Sequence, residues 1–151
     1  MKSRKAIKSI LLVAAMFLCT SLLTGCLSRL TYHHKKSEIF QCVSENKEKL
    51  AADIAAKEYA NALSLGVVVA VNSSDQCVIY DCGGQGIAPS STSFGFYYSY
   101  NDEPHVVTET SYYYYGLGLN SEGKGYSANI DHNYYYTEKI CENFWYFEWQ
   151  Y

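Results

Sequence analysis

With 151 residues the chain is long enough for one compact domain and too short for two. It holds 12 basic and 15 acidic side chains. Lys2, Arg4, Lys5 and Lys8 lie at the amino end, before the first acidic residue, Glu38. From Ser37 onward only Lys47, Lys49, Lys57, Lys124 and Lys139 face all 15 carboxylates. Phosphate recognition needs a basic stripe, so nucleic acid is excluded as an expected partner. Disorder is excluded as well, because 48% of residues are hydrophobic and 16% aromatic.

The four basic residues open a segment that continues as a mostly apolar run from Ile10 to Leu23. A membrane-crossing helix needs roughly 20 apolar residues, so the run is short for a span and suits the hydrophobic region of an export signal. It ends in Leu23-Thr24-Gly25-Cys26. This tetrapeptide resembles the bacterial lipobox: a Leu, two small residues that fit a protease subsite, and a Cys whose thiol receives diacylglycerol. The resemblance covers residues 1–26 alone. It implies a removed signal peptide over 1–25, a lipid on Cys26, and a place on the extracytoplasmic side of a cell membrane or outer membrane. Arg29, Lys35 and Lys36, with His33 and His34 beside them, then form a basic tether over 26–36, able to rest against anionic head groups.

Residues 37–151 form the expected single domain. Ile39, Val43, Leu50 and Ile54 share one face of a helix reaching to about Leu63, widened by Ala51, Ala55 and Ala62, with charges of both signs opposite. Gly66 is the expected terminator. The period then becomes that of strands. Val67–Val71 and Gln76–Asp81 are expected to pair as a hairpin around Asn72-Ser73-Ser74-Asp75. Gly83-Gly84-Gln85-Gly86 and Pro89-Ser90-Ser91 read as loop. Further strands are expected over Ser93–Asn101, Val106-Val107, Glu109–Leu119, Tyr126–Ile130, Asn133–Ile140 and Phe144–Tyr151, separated by turn clusters. A helix followed by many short strands predicts an α+β domain, with one amphipathic helix on a tyrosine-rich, mostly antiparallel sheet.

The chain has 16 tyrosines, and all but Tyr32, Tyr59 and Tyr80 lie from position 97 onward. Successive strand residues face opposite ways. Tyr112 and Tyr114 therefore oppose Tyr113 and Tyr115, and Tyr134 and Tyr136 oppose Tyr135. Both sheet faces must then be aromatic, while one helix covers one face. The second face is either closed by a curled or sandwiched sheet or available to a partner. Tyr112, Tyr113, Tyr114, Tyr115, Tyr134 and Tyr136 are its candidate contacts, for another envelope protein or a wall glycan.

Export also predicts oxidised thiols. Cys42, Cys77, Cys82 and Cys141 remain after Cys19 and Cys26 are accounted for. A strand of five residues spans roughly 16 Å, too far for a 77–82 bridge. The open schemes are 42–82 with 77–141, which is preferred, and 42–77 with 82–141. A metal site is not expected, since there is no Cys-x-x-Cys pair, no His at ligand spacing and no calcium-loop spacing around Asp102 or Asn120. No cofactor is implied.

Catalysis has weak signals. Ser90 or Ser91, His105 and Asp102 are the residue types of a hydrolytic triad, but no serine sits in a Gly-x-Ser-x-Gly elbow. The glycine run lacks the Lys-Ser/Thr of a phosphate loop. Glu138, Glu142 and Glu148 are the candidate carboxylates for glycoside cleavage, and His132 is a solvated turn residue. Pro89-Ser90-Ser91, Gly95-Phe96-Tyr97-Tyr98-Ser99 and Tyr136-Thr137-Glu138-Lys139-Ile140 are similar to runs in small uncharacterised exported bacterial proteins, a resemblance that implies no activity. The expectation is a non-enzymatic, lipid-anchored binding or interaction module of the envelope. A small hydrolase acting on cell-wall material is the alternative.

Overall fold

The computed structural model describes residues 36–87, 90–107, 112–113, 117–119 and 123–151, with Ile87, Tyr112 and Tyr113 described by their backbone alone. Cys26, the expected signal peptide and nearly all of the tether fall outside the described residues, as do Tyr114 and Tyr115. Two helices, α1 (Lys36–Ala56) and α2 (Ala60–Ser64), precede the strands. These are β1 (Ala70–Ser73), β2 (Cys77–Ile87), β3 (Ser90–Ser99), β4 (Val106–Val107), β5 (Tyr112–Tyr113), β6 (Gly118–Leu119), β7 (Tyr126–Ile130), β8 (Asn133–Cys141) and β9 (Phe144–Gln150).

Seven strands form one antiparallel sheet in the order β1-β2-β3-β9-β8-β7-β6, and β4 pairs with β5 apart from it. The sheet is two meanders joined where β9 returns to lie against β3. With α1 packed on β8 and β9, the class is α+β. The turn between β7 and β8 is fixed by Asp131 and His132, at φ 47° and 74°, the left-handed pair that suits the twist of a tight hairpin.

The helix departs from the expected single rod. Ile39, Val43, Leu50 and Ile54 are buried, as their spacing requires. The helix stops because Lys57 turns to φ 56°, and the Glu58 N–H closes back on the Asp53 carbonyl at 3.0 Å. Asp53 then joins the two helices. Its carboxylate accepts from the Asn61 side-chain amide at 2.5 Å and from the Ala62 N–H at 3.2 Å, capping the first turn of α2 from the preceding helix.

Two strand expectations are corrected. The first strand starts at Ala70, beyond the valine run, and Val68 is buried in the helix-side core instead. The glycine run is not a loop: β2 continues through it, paired with β3 from Gly84↔Ser93 to Ile87↔Ser90. A register shift between Asp81 and Gly84 absorbs the irregularity. Gly83 there takes φ 94° while its N–H donates to the Asp81 carboxylate at 2.7 Å, a conformation a side chain would oppose. Ser90 and Ser91 therefore belong to β3.

Strand alternation sorts the core into two clusters on opposite sheet faces. On the helix side lie Val78, Tyr80, Cys82, Phe94, Phe96, Phe144 and Tyr146, beneath Ile39, Val43, Leu50 and Ile54. On the other side lie Cys77, Ile79, Tyr97, Tyr135, Trp145, Phe147 and Trp149, covered by Val106 and Val107. The chain after β3 thus folds back as a strap across the second face. One pairing edge of the strap is served by β5, and the sheet below cannot offer backbone partners to the rest. Side chains do so. Tyr97 Oη accepts from the His105 N–H at 2.8 Å, and Tyr135 Oη donates to the His105 carbonyl at 2.7 Å while accepting from the Val107 N–H at 3.4 Å. The Trp149 indole N–H donates to the Val107 carbonyl. Tyr97 Oη also meets Thr137 Oγ1 at 3.0 Å. Buried backbone groups must be paired, so this face needs aromatic rings that end in polar atoms.

Candidate binding site at the start of the helix

The start of α1 lies over β8 and β9, whose register arranges two tyrosines and two glutamates as a checkerboard. Tyr136 lies opposite Glu148, and Glu138 opposite Tyr146. Each hydroxyl serves the carboxylate two residues along its own strand: Tyr136 Oη donates to Glu138 Oε2 at 2.5 Å, and Tyr146 Oη to Glu148 Oε2 at 3.1 Å. Phe40, one turn into α1, closes a third side, its ring 5.9 Å from that of Tyr146. Tyr136 and Tyr146 stand 6.5 Å apart in an edge-on arrangement.

The Lys36 ammonium sits inside this box. Its Nζ lies 4.8 Å from the Tyr136 ring centre, 5.3 Å from that of Tyr146 and 5.4 Å from that of Phe40. It pairs with Glu138 and approaches Tyr136 Oη at 3.4 Å. Each distance is within the range of about 6 Å over which a ring quadrupole attracts a cation. The box opens to solvent, since the Lys36 side chain is 43% exposed and that of Glu138 is 21% exposed. Burial acts to raise the Glu138 pKa, but Lys36, the Tyr136 hydroxyl and the more remote Lys124 outweigh it and hold the carboxyl below its usual range. Burial and the neighbouring Glu148 push the Tyr146 phenol upward. The site therefore presents two acids, two hydroxyls and three ring faces, a set able to hold a cation.

The expected contact residues separate. Tyr136 is in the box and Tyr134 is half-buried on the same strand. Tyr112 and Tyr113 pair with the strap as β5. Tyr135, the expected opposite of Tyr134 and Tyr136, is fully buried under the strap. Phe40 and Lys36 were absent from the expected contacts. The only sequence signal for them is the pair Lys36 and Phe40 at adjacent helical turns.

The residue types of a hydrolytic triad are not brought together. Ser90 and Ser91 occupy the β2–β3 hairpin, whereas Asp102 pairs with Lys139 at 2.5 Å and accepts the Asn143 N–H at 2.8 Å. His105 instead meets Ser99, with Nε2 3.1 Å from Ser99 Oγ and 3.2 Å from Asn101 Oδ1. Ser99 gives its one hydroxyl proton to Asn101 Oδ1 at 2.7 Å and accepts the Glu103 N–H at 3.0 Å. The imidazole therefore donates through Nε2, the reverse of what a general base toward serine requires. Both side chains are buried, Ser99 at 0% and His105 at 2% exposure. Glu138 and Glu148 share the box and Glu142 lies in the β8–β9 turn. Among the described residues no three His, Cys, Asp or Glu side chains cluster as metal ligands.

The sheet separates the thiols of the two expected pairing schemes. None of Cys42, Cys77, Cys82 and Cys141 is bonded. Cys77 faces the strap side, whereas Cys82 and Cys141 belong to the helix side and Cys42 rides on α1. A 77–141 or 42–77 bond would have to pass through the sheet. Cys42 and Cys82 are different: Cys82 is in the helix-side core, and Cys42, half-buried on α1, adds to the upward push that burial and Asp81 exert on the Cys82 thiol.

No family model, no curated protein and no solved structure matches the chain.

Proposed function

We propose that this chain is a lipid-anchored binding module of a bacterial cell envelope, tethered through Cys26 and holding its partner without transforming it. Leu23-Thr24-Gly25-Cys26 supports the anchor. The partner-holding role is supported by one observation above others, the solvent-open box of Phe40, Tyr136, Tyr146, Glu138 and Glu148. Its Lys36 follows Cys26 by ten residues in the chain.

The experiment has two readouts on the full chain expressed in bacteria. A palmitate analogue labels the wild type and does not label Cys26→Ser; a wild type without label overturns the anchor. In-cell crosslinking captures envelope material with the wild type and captures at least several-fold less with Tyr136→Ala. Equal capture by a folded Tyr136→Ala chain overturns the box as the binding surface.

A further inference from the structure

We infer that the box of Phe40, Tyr136, Tyr146 and Glu138 is an alkylammonium site which the chain keeps closed with its own Lys36. The inference rests on the binding-module reading and gives it a ligand class. The occupant itself shows what the box accepts: a primary ammonium on an alkyl stem, met by three ring faces, one carboxylate and one phenol oxygen. A surface ion pair needs none of the rings, and such pairs contribute little by themselves. Ring faces add attraction that does not depend on the rest of the ligand. A second carboxylate, Glu148, faces the same strands and is held by Tyr146 and Gln150. Lys36 is the first described residue of α1, and its side chain is 43% exposed. Its ammonium can leave by rotation about its side-chain bonds, with the walls staying in place. The walls are rigid because Tyr146 is buried in the core and Tyr136 and Glu138 are paired in the interior of a sheet.

A ligand competing with a tethered occupant binds in proportion to the fraction of time the box is vacant. Lys36 therefore acts as a built-in competitor that sets a threshold, passed by ligands that bring further contacts or high local concentration. The chemistry shared by small amines and by lysine side chains of a partner is the alkylammonium group itself.

The test is titration of the full chain, in non-ionic micelles, with n-butylammonium chloride against sodium chloride at equal ionic strength. Tyr136 and Phe40 ring resonances and the melting temperature are followed. Lys36→Ala is expected to bind butylammonium and to melt higher with it. The wild type is expected to bind at the same rings about tenfold more weakly. Glu138→Gln and Tyr136→Ala, each combined with Lys36→Ala, lose the effect, and Tyr136→Phe combined with Lys36→Ala retains part of it. No binding by folded Lys36→Ala overturns the site. Binding by Lys36→Ala with none by the wild type also overturns it, because Lys36 is then a permanent latch. If Lys36→Ala does not fold, the wild-type titration alone decides, with Tyr136→Ala as its control. Failure here leaves crosslinked capture through Tyr136 intact, so the two readings fail separately.

Discussion

The hydroxyl of Tyr135 does work that a phenylalanine could not. It sits between the carbonyl of His105 and the N–H of Val107, both buried where water does not reach. Removing it takes a hydrogen-bond partner from two buried strap groups, and a buried polar group left unsatisfied costs about 1–3 kcal/mol. Tyr135→Phe is therefore expected to lose about that much in urea unfolding, and a loss within error of zero would mean that water replaces the phenol. His105 gives the strap a pH dependence. Burial is the main influence on its imidazole and lowers its pKa, against a smaller upward pull from Glu103. In the folded chain the ring resists protonation, whereas the unfolded chain takes up a proton near pH 6.5. The unfolded state then binds more protons below that pH, so stability falls as pH drops from about 6.5 toward the folded value. Asp102 and Glu138 have lowered values and lose their contributions only in the more acidic carboxylate range. Melting between pH 7.5 and 5.5 should thus decline in the wild type and stay nearly flat in His105→Gln. A parallel decline in both would remove His105 as the cause.

At the scale of elements, α1 touches the sheet on two flanks. Phe40 and Lys36 engage β8 and β9, while Cys42 and Asp53 turn toward β2, where each raises the pKa of a side chain below, Cys82 and Tyr80 respectively. Outside the cytoplasm two such thiols pair readily. Under the export proposed above, peptide mapping under non-reducing conditions is expected to find Cys42 joined to Cys82, with Cys77 reduced beside Ser74, whose Oγ is 3.6 Å from its sulfur. A Cys77–Cys141 peptide would contradict the placement of those residues on opposite faces. The helix periodicity, the β7–β9 strands and the α+β class could be read from the chain, because each depends on local spacing. The glycine-bearing half of β2 could not. Glycines usually signal a break, and here they accommodate a register shift and a tight turn of backbone that only pairing with β3 reveals.

For the molecule as a whole, the strap was the least readable feature. Alternation of Tyr134, Tyr135 and Tyr136 correctly implies two aromatic faces, but what covers the second face is a long-range event. Val106-Val107 crosses onto Tyr97, Tyr135 and Trp149 after a turn whose sequence carries no trace of its destination. The box was unreadable for the same reason, since Phe40 and Tyr146 meet only after the sheet has placed β9 beside β8. One outcome of this layering concerns how the protein reports on itself. Its 2 tryptophans, Trp145 and Trp149, both face the strap. Indole emission is therefore a one-sided gauge: it brightens or dims with the lid at 105–107 and is blind to events beneath the helix. Tyrosine emission comes from both flanks, since Tyr97 and Tyr135 lie under the strap while Tyr80 and Tyr146 lie beneath the helix, so the indole signal is the one that singles out a layer.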